Sequence, residues 1–178
     1  MPVNLVTFNQ GIHFVNSVYV DANLICYARN RLSQKYRVAS QVLGELIVQK
    51  VTIFISHLVL DEIWWALLRV WYRGATGNNL YPTTVKSNPG ILNSFAPLIR
   101  RNTLKTVRLP NVFILPTVLD SIQIILAATD IFSTEGLMPR DCFHLAFVKS
   151  HNIMGFVTSD TDFDHLTLPN YNLTVYKY

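Results

Sequence analysis

Cysteine and charge are both scarce in this 178-residue chain. The two cysteines, Cys26 and Cys142, are too few for a disulfide-stapled scaffold, and both sit inside apolar helical patterns. They read as small buried hydrophobes, which suits a reducing cytoplasm. Charged residues make up 15% of the sequence while apolar ones make up 50%. Against a usual charged share of about a quarter, this implies a large core and a surface partly covered by a partner chain. Long apolar runs are missing as well: "VTIFISHLVL" and "VFILPTVL" are interrupted by His, Pro, Asp or Glu well short of a membrane span. The opening "MPVNLVTFNQ" has neither a basic start nor a long apolar stretch, so no secretory signal is expected and the cytoplasm is the expected location. Internal repeats and low-complexity segments are absent.

What the chain has is alternation. Five runs rich in β-branched and aromatic residues read as buried strands: "SVYVD" (17–21), "TIFIS" (52–56), "VFILP" (112–116), "GFVTS" (155–159) and "LTVYKY" (173–178). Helical patterns lie between them: "NLICYARNRL", "HLVLDEIWWALLRVWY", "VLDSIQIILAATDIF" and "PRDCFHLAFVKSHN". Strand–helix alternation argues for an α/β fold, a three-layer α/β/α sandwich around a mostly parallel sheet. The length suits one domain over residues 1–178 and is short for two. Residues 74–110 break the rhythm with a turn-rich stretch followed by a helical pattern with a basic end, read as an excursion within that domain.

Acidic residues number only eleven, yet "FVTSDTDFDHL" holds three of them, Asp160, Asp162 and Asp164. Asp160 ends the fourth run and Asp21 ends the first. Glu62 lies on the first turns of the helix after the second run, and Asp141 starts the helix before the fourth. Ligands of parallel α/β sheets bind beyond the carboxyl ends of the strands, so these four acids are expected on one edge of the sheet. Two unit charges about 4 Å apart repel by roughly 4 kcal/mol at an effective dielectric near 20. A converging carboxylate set therefore calls for a cation. Hard oxygen donors without a Cys/His set favour Mg²⁺ or Mn²⁺ over Zn²⁺, and metal-assisted phosphodiester hydrolysis is the matching chemistry.

The segments "VYVDANLICYA", "ISHLVLDEIWWALL" and "GLMPRDCFHLAFVKSHNIMGFVTSDTDF" resemble, in order, the opening strand, the acidic second helix and the closing block of the PIN domain, the nuclease fold of VapC-like toxins. The resemblance covers nearly the whole chain except the excursion. It implies a divalent-metal-dependent ribonuclease, the toxin of a toxin–antitoxin pair, with an RNA substrate, a cognate antitoxin and a homodimeric state. It also implies that Asp21, Glu62, Asp141 and Asp160 bind Mg²⁺ or Mn²⁺ and activate water. Thr158 matches a hydroxyl residue beside the last Asp, and Asp164 or Asp162 an accessory acid, Asp164 being the stronger metal candidate. Cys142 stands where the family usually has Ala. The alternative is a PIN-like RNA- or protein-binding scaffold without turnover. A phospho-acceptor domain fits less well, because only Asp21 ends the first strand and no lysine follows "FVTSD" before Lys177.

Each residue also has a plainer role. Asp21 and Asp141 suit helix caps, and Asp162 suits a solvated turn. Asp61 is the fallback for Glu62, although helical geometry turns adjacent side chains about 100° apart. His144 reads as packed or supporting rather than as a ligand, and His57, His151 and His165 as surface or capping residues. Trp64, Trp65, Trp71 and Tyr72 read as core and dimer interface. Arg29, Arg31, Lys35 and Arg37 form one basic cluster, and Arg100, Arg101, Lys105 and Arg108 another. With a net charge of +4, Arg29, Arg31, Arg100 and Arg101 are candidates to track an RNA backbone.

Overall fold

The computed structural model describes residues 3–116 and 121–178. Its centre is one six-stranded sheet in the order β1-β6-β5-β2-β3-β4, with every neighbouring pair parallel. The strands are β1 (Asn4–Thr7), β2 (Ser17–Val20), β3 (Thr52–Ile55), β4 (Val112–Ile114), β5 (Gly155–Thr158) and β6 (Thr174–Lys177). Helices α1 (Ala22–Arg29), α2 (Tyr36–Val48), α3 (His57–Thr76), α4 (Pro82–Ser87), α5 (Gly90–Val107), α6 (Ser121–Glu135) and α7 (Pro139–Ser150) complete the three-layer α/β/α arrangement. The five strands expected from the sequence are all present, and the sheet is wholly rather than mostly parallel.

Burial explains the pattern. Residues of β2 and β5 pack on both faces, and Val18, Tyr19, Val20, Phe156 and Val157 have no exposed surface. Covered strands in a parallel sheet read as continuous apolar runs rather than alternating ones. The chain runs from β2 outward through β3 to β4, then returns so that β5 lies on the other side of β2. The β2/β5 boundary is therefore the switch point at which a crevice opens beyond the strand ends. The ladder there extends one residue past β2, with Asp21 N–H donating to the Val157 carbonyl at 3.3 Å.

Three elements differ from expectation. β1 is an exposed edge strand on β6; only four residues long, it carries too weak an apolar signal to stand out. Residues 36–48 form α2, whose buried Ala39, Val42 and Leu46 keep helical spacing around an interior Gly44. The turn-rich part of the excursion is largely helical. α3 runs on to Thr76 and stops at Gly77, which takes the left-handed conformation (φ 74°), and Pro82 occupies the first turn of α4. Val118, Leu119 and Asp120, the expected start of the helix before "SIQIILAATDIF", lie outside the described residues. None of the three tryptophans joins the buried core. Instead Trp64 donates to Thr103 at 2.8 Å and Trp71 stacks on Phe95, so both tie α3 to α5. Cys26 and Cys142 are free thiols. Among the described residues no helix is long and apolar enough to cross a membrane.

Gly155 opens β5 at a point with no room for a side chain. A Cβ there would lie 2.7 Å from Val15 Cγ2 and Val18 Cγ1 and 3.2 Å from the Ser17 carbonyl. Gly155→Ala is expected to lower stability by about 1–3 kcal/mol through overpacking at the β2/β5 seam. Urea denaturation checks this, and an unchanged midpoint would contradict the seam's tightness.

Candidate metal centre

The crevice beyond β2 and β5 is a pocket of about 180 Å³ whose walls include Asp21, Glu62, Asp141 and Asp160, together with Asn23, Arg69, Arg140 and His144. Each acid arrives from a different element. Asp21 is the N-cap of α1, its Oδ1 accepting from Leu24 N–H at 2.9 Å and its Oδ2 from the Thr158 hydroxyl at 2.6 Å. Asp160 follows β5 and caps a short 3-10 turn (Thr161–His165), accepting from Asp162 N–H at 3.0 Å. Thr158 serves both, since its Oγ1 also accepts from Asp160 N–H at 2.9 Å. Asp141 lies in the first turn of α7, behind Pro139.

Glu62 faces the pocket along with Trp65, Ala66 and Arg69 of α3, and it ends a buried hydrogen-bonded chain. Its Oε2 lies 3.1 Å from His144 Nε2, His144 Nδ1 lies 2.8 Å from the Tyr19 hydroxyl, and that hydroxyl lies 2.6 Å from Ser56 Oγ. A carboxylate only accepts, so His144 Nε2–H donates to Glu62. In the neutral ring Nδ1 then accepts from Tyr19 O–H, and the Tyr19 oxygen accepts from Ser56. Tyr19, Ser56 and His144 are all buried, so the chain fixes the angle at which Glu62 enters the pocket. The sequence marks Tyr19 and Ser56 only as polar groups at a strand and its end; their meeting with His144 depends on the fold. Asp61, exposed on the neighbouring face, shares Arg140 with Glu62 through contacts of 3.6 Å each.

Other expected residues go elsewhere. Asp164 does not line the pocket; its Oδ1 lies 2.6 Å from Lys177 Nζ, and Lys177 also donates to the Asp160 carbonyl. That lysine reaches them because β6 pairs with β5, bringing Lys177 opposite Thr158. Asp162 is exposed. Arg29 is half-buried and donates to the Asn102 carbonyl at 3.2 Å and to Thr106 Oγ1 at 2.7 Å. It therefore ties α1 to α5 while still lining the groove between them. Arg31 is exposed just beyond α1, and Arg100 and Arg101 are exposed on α5.

The electrostatics are those of a carboxylate set short of positive charge. Burial pushes the Asp21 carboxyl up from 3.8 to about 6, against the pull of Thr158, Leu24 and His144, with Glu62 adding to the rise. Burial also raises the Asp141 carboxyl, opposed by His144 and reinforced by Asp160, Asp162 and Glu62. Among the described residues no three His, Cys, Asp or Glu side chains stand close enough to surround one ion as placed. The donor chemistry nonetheless fits a hard divalent cation: four carboxylates on a narrow pocket, with Asp21 desolvated and its carboxyl raised despite the pull of His144.

A family model described as the PIN domain matches residues 18–168. Among solved structures the chain is similar to VapBC2 of Rickettsia felis bound to a DNA fragment from its promoter. That likeness has a TM-score of 0.52 at 17% identity, covering 89% of this chain and 96% of the other. It is also similar to VapC20 of Mycobacterium tuberculosis, a sarcin–ricin loop cleaving toxin, with a TM-score of 0.53 at 15% identity over 83% of this chain and 92% of that one. At such identities the likeness is one of fold. Compared by sequence with curated proteins, the chain matches none.

Asp21 sets a pH signature. A raised carboxyl binds its proton more tightly in the folded than in the unfolded state. Its contribution to stability is complete below pH 3.8 and lost as pH rises through about 6. The loss amounts to about 3 kcal/mol, from 1.36 kcal/mol per pKa unit. Asp21→Asn keeps a capping oxygen for Leu24 and removes the titration. In chelator, the variant is expected to be about 1–3 kcal/mol more stable than the parent at pH 8, with the gap closing toward pH 4. Urea midpoints across that range check it, and a parent that gains stability between pH 4 and 7 relative to the variant would contradict it.

Proposed function

The chain belongs to the PIN domain family, and on that premise we propose that it is a divalent-metal-dependent ribonuclease, the toxin of a toxin–antitoxin pair. The observation that carries the reading is the meeting of Asp21, Glu62, Asp141 and Asp160 on one pocket at the switch point of the sheet. These are acids from four separate parts of the chain, and a structural role gives no reason for them to share a cleft. The toxin reading draws on the likeness to VapC20, itself a sarcin–ricin loop cleaving toxin. A cognate antitoxin, a homodimeric state and a cytoplasmic location belong to the same proposal, and the low share of charged residues suits a surface that partner chains cover.

Asp21, Glu62, Asp141 and Asp160 would hold Mg²⁺ or Mn²⁺. When bound, such an ion supplies Lewis acidity toward the phosphate and offsets charge that builds in the transition state. The remaining work falls to the chain. Thr158 holds Asp21 Oδ2 by its hydroxyl and orders the Asp160 backbone through the same oxygen, so the two acids flanking β2 and β5 keep a fixed relation. The Ser56–Tyr19–His144 chain fixes Glu62 from behind. Such supporting contacts hold a catalytic constellation in register. Arg140, beside Glu62 at the rim, offers a positive charge to an entering phosphate. A water attacking in line would form the new P–O bond as the bond to the adjoining ribose oxygen breaks, its proton passing to a pocket carboxylate while the ribose oxygen leaves as a hydroxyl with a proton from solvent. Asp164, held by Lys177, shapes the turn that presents Asp160.

Asp21→Asn and Asp160→Asn are each expected to lower divalent-dependent cleavage of RNA by more than about a hundredfold, with circular dichroism unchanged. EDTA is expected to abolish cleavage by the parent, and added Mn²⁺ to restore it. Cleavage that survives in a folded Asp21→Asn/Asp160→Asn double variant would sink the nuclease reading. A parent protein that binds RNA without ever cutting it would favour the scaffold.

A further inference from the structure

Trp65 and Arg69 of α3 stand between two hollows. Both line the acid pocket, and both also line a separate notch of about 240 Å³ that Asn79, Leu80, Tyr81 and Pro82 close from the other side. The notch exists because the chain doubles back after α3. Gly77 ends that helix in the left-handed conformation, and residues 79–82 then meet Trp65 and Arg69 again. Leu80 is almost wholly buried and pins the returning segment. Tyr81 stands directly before Pro82, which confines it to extended backbone (φ −112°, ψ 153°). Its side chain is thus presented from a fixed main chain, yet Tyr81 remains 57% exposed. Trp65 is half-buried, and the Arg69 guanidinium lies 6.0 Å from its ring centroid. No Asp or Glu lines the notch. Packing accounts for Leu80 and Pro82, but gives no reason for an exposed tyrosine and an exposed asparagine beside that tryptophan.

We propose that this notch seats one unpaired nucleobase of the RNA, that of the nucleotide beside the scissile phosphate, held between Tyr81 and Trp65 with its edge read by Asn79. The proposal rests on the nuclease reading and adds to it the element that selects sequence. RNA sequence is read where bases leave the stack, lie against aromatic rings or guanidinium planes, and meet hydrogen-bonding groups at their edges. The notch brings these parts together: two aromatic side chains, the Arg69 guanidinium, and an Asn79 amide that both donates and accepts. Trp65 follows Glu62 by three residues, so both lie on one face of α3, about 4.5 Å apart along its axis. The seat is therefore next to the carboxylates, and Arg69 can meet the phosphate that joins the two nucleotides. A base paired in a duplex offers neither a free face nor a free edge. Proline-rich peptides also dock on aromatic surfaces, but a cation for a phosphate and an amide for a base edge favour a nucleotide. Residues 79–82 belong to the 74–110 excursion, so the part of the chain that breaks the strand–helix rhythm supplies one side of the seat.

The test measures binding apart from cleavage. Fluorescence anisotropy of labelled oligo(A), oligo(C) and oligo(U) of equal length is run in EDTA on the parent, on Tyr81→Ala and on Asn79→Ala. An oligomer of the same backbone with every base removed serves as the comparison. Tyr81 and Asn79 are exposed, so both variants are expected to fold. The parent is expected to separate the three oligomers by about tenfold and to bind the abasic one most weakly. Tyr81→Ala is expected to weaken the tightest oligomer about tenfold, the size of one lost stacking contact, and to leave the abasic oligomer unchanged. Asn79→Ala is expected to narrow the spread among the three with a smaller loss of affinity. With Mg²⁺ present and a mixed-sequence RNA, both variants are expected to lose the parent's preference for the base beside the cut. The base seat is overturned if the parent binds the three oligomers alike, if Tyr81→Ala keeps the parent's affinities, or if that variant loses as much on the abasic oligomer. It is equally overturned if an oligoproline peptide, and not RNA, binds in a Tyr81-dependent way. Tyr81-dependent discrimination by a parent that never cuts leaves the seat standing and removes the nuclease. Cleavage by Tyr81→Ala with the parent's base preference intact does the reverse.

Discussion

Everything at the strand ends follows from one unfavourable arrangement: four carboxylates on one pocket, with Asp21 among them buried away from water. Asp21 is buried at the β2/β5 switch, and its carboxyl rises toward 6 because desolvation outweighs the hydrogen bonds from Thr158 and Leu24. Glu62 and Asp141 press on the same pocket. A fold pays this only where the charge has a use, since a core Asp replaced by an apolar residue would relieve the strain. The surrounding contacts make sense as restraint. Thr158 bridges two of the acids, His144 braces a third, and Lys177 draws Asp164 and the Asp160 carbonyl to one side.

The switch point explains why residues so distant in sequence share a pocket. β2 and β5 are neighbours only because the chain goes out through β3 and β4 and then crosses back. Asp21 and Asp160 sit directly after those two strands, while Glu62 and Asp141 ride on the helices that flank them. The close approach of β5 to β2 at Gly155 keeps the two acid-bearing ends in register.

Much of this was legible because strands buried on both faces leave unbroken apolar runs, and an acid immediately after such a run has one place to go. Asp21 and Asp160 are readable on that ground alone. What was not legible depends on pairing across long sequence distances. Asp164 looked like a further ligand, but the parallel pairing of β6 with β5 places Lys177 beside it. Arg29 reads as a free surface cation, yet its guanidinium donates to Asn102 and Thr106 of α5, far away in sequence. Tyr19, Ser56 and His144 form one chain only after three separate elements are folded together. β1 was missed because a short exposed edge strand has little apolar pattern, and α2 because its three buried positions are diluted by polar residues and Gly44.

The central claim is that the pocket at the β2/β5 switch holds a divalent cation on its carboxylates. Anomalous diffraction from crystals soaked in Mn²⁺ tests it most directly. A peak in this pocket within about 2.0–2.3 Å of oxygens from Asp21 and Asp160, absent from crystals of Asp160→Asn, is the result expected from hard-cation coordination. A well-ordered pocket with Asp21 and Asp160 in place and no anomalous peak at saturating Mn²⁺ would contradict it.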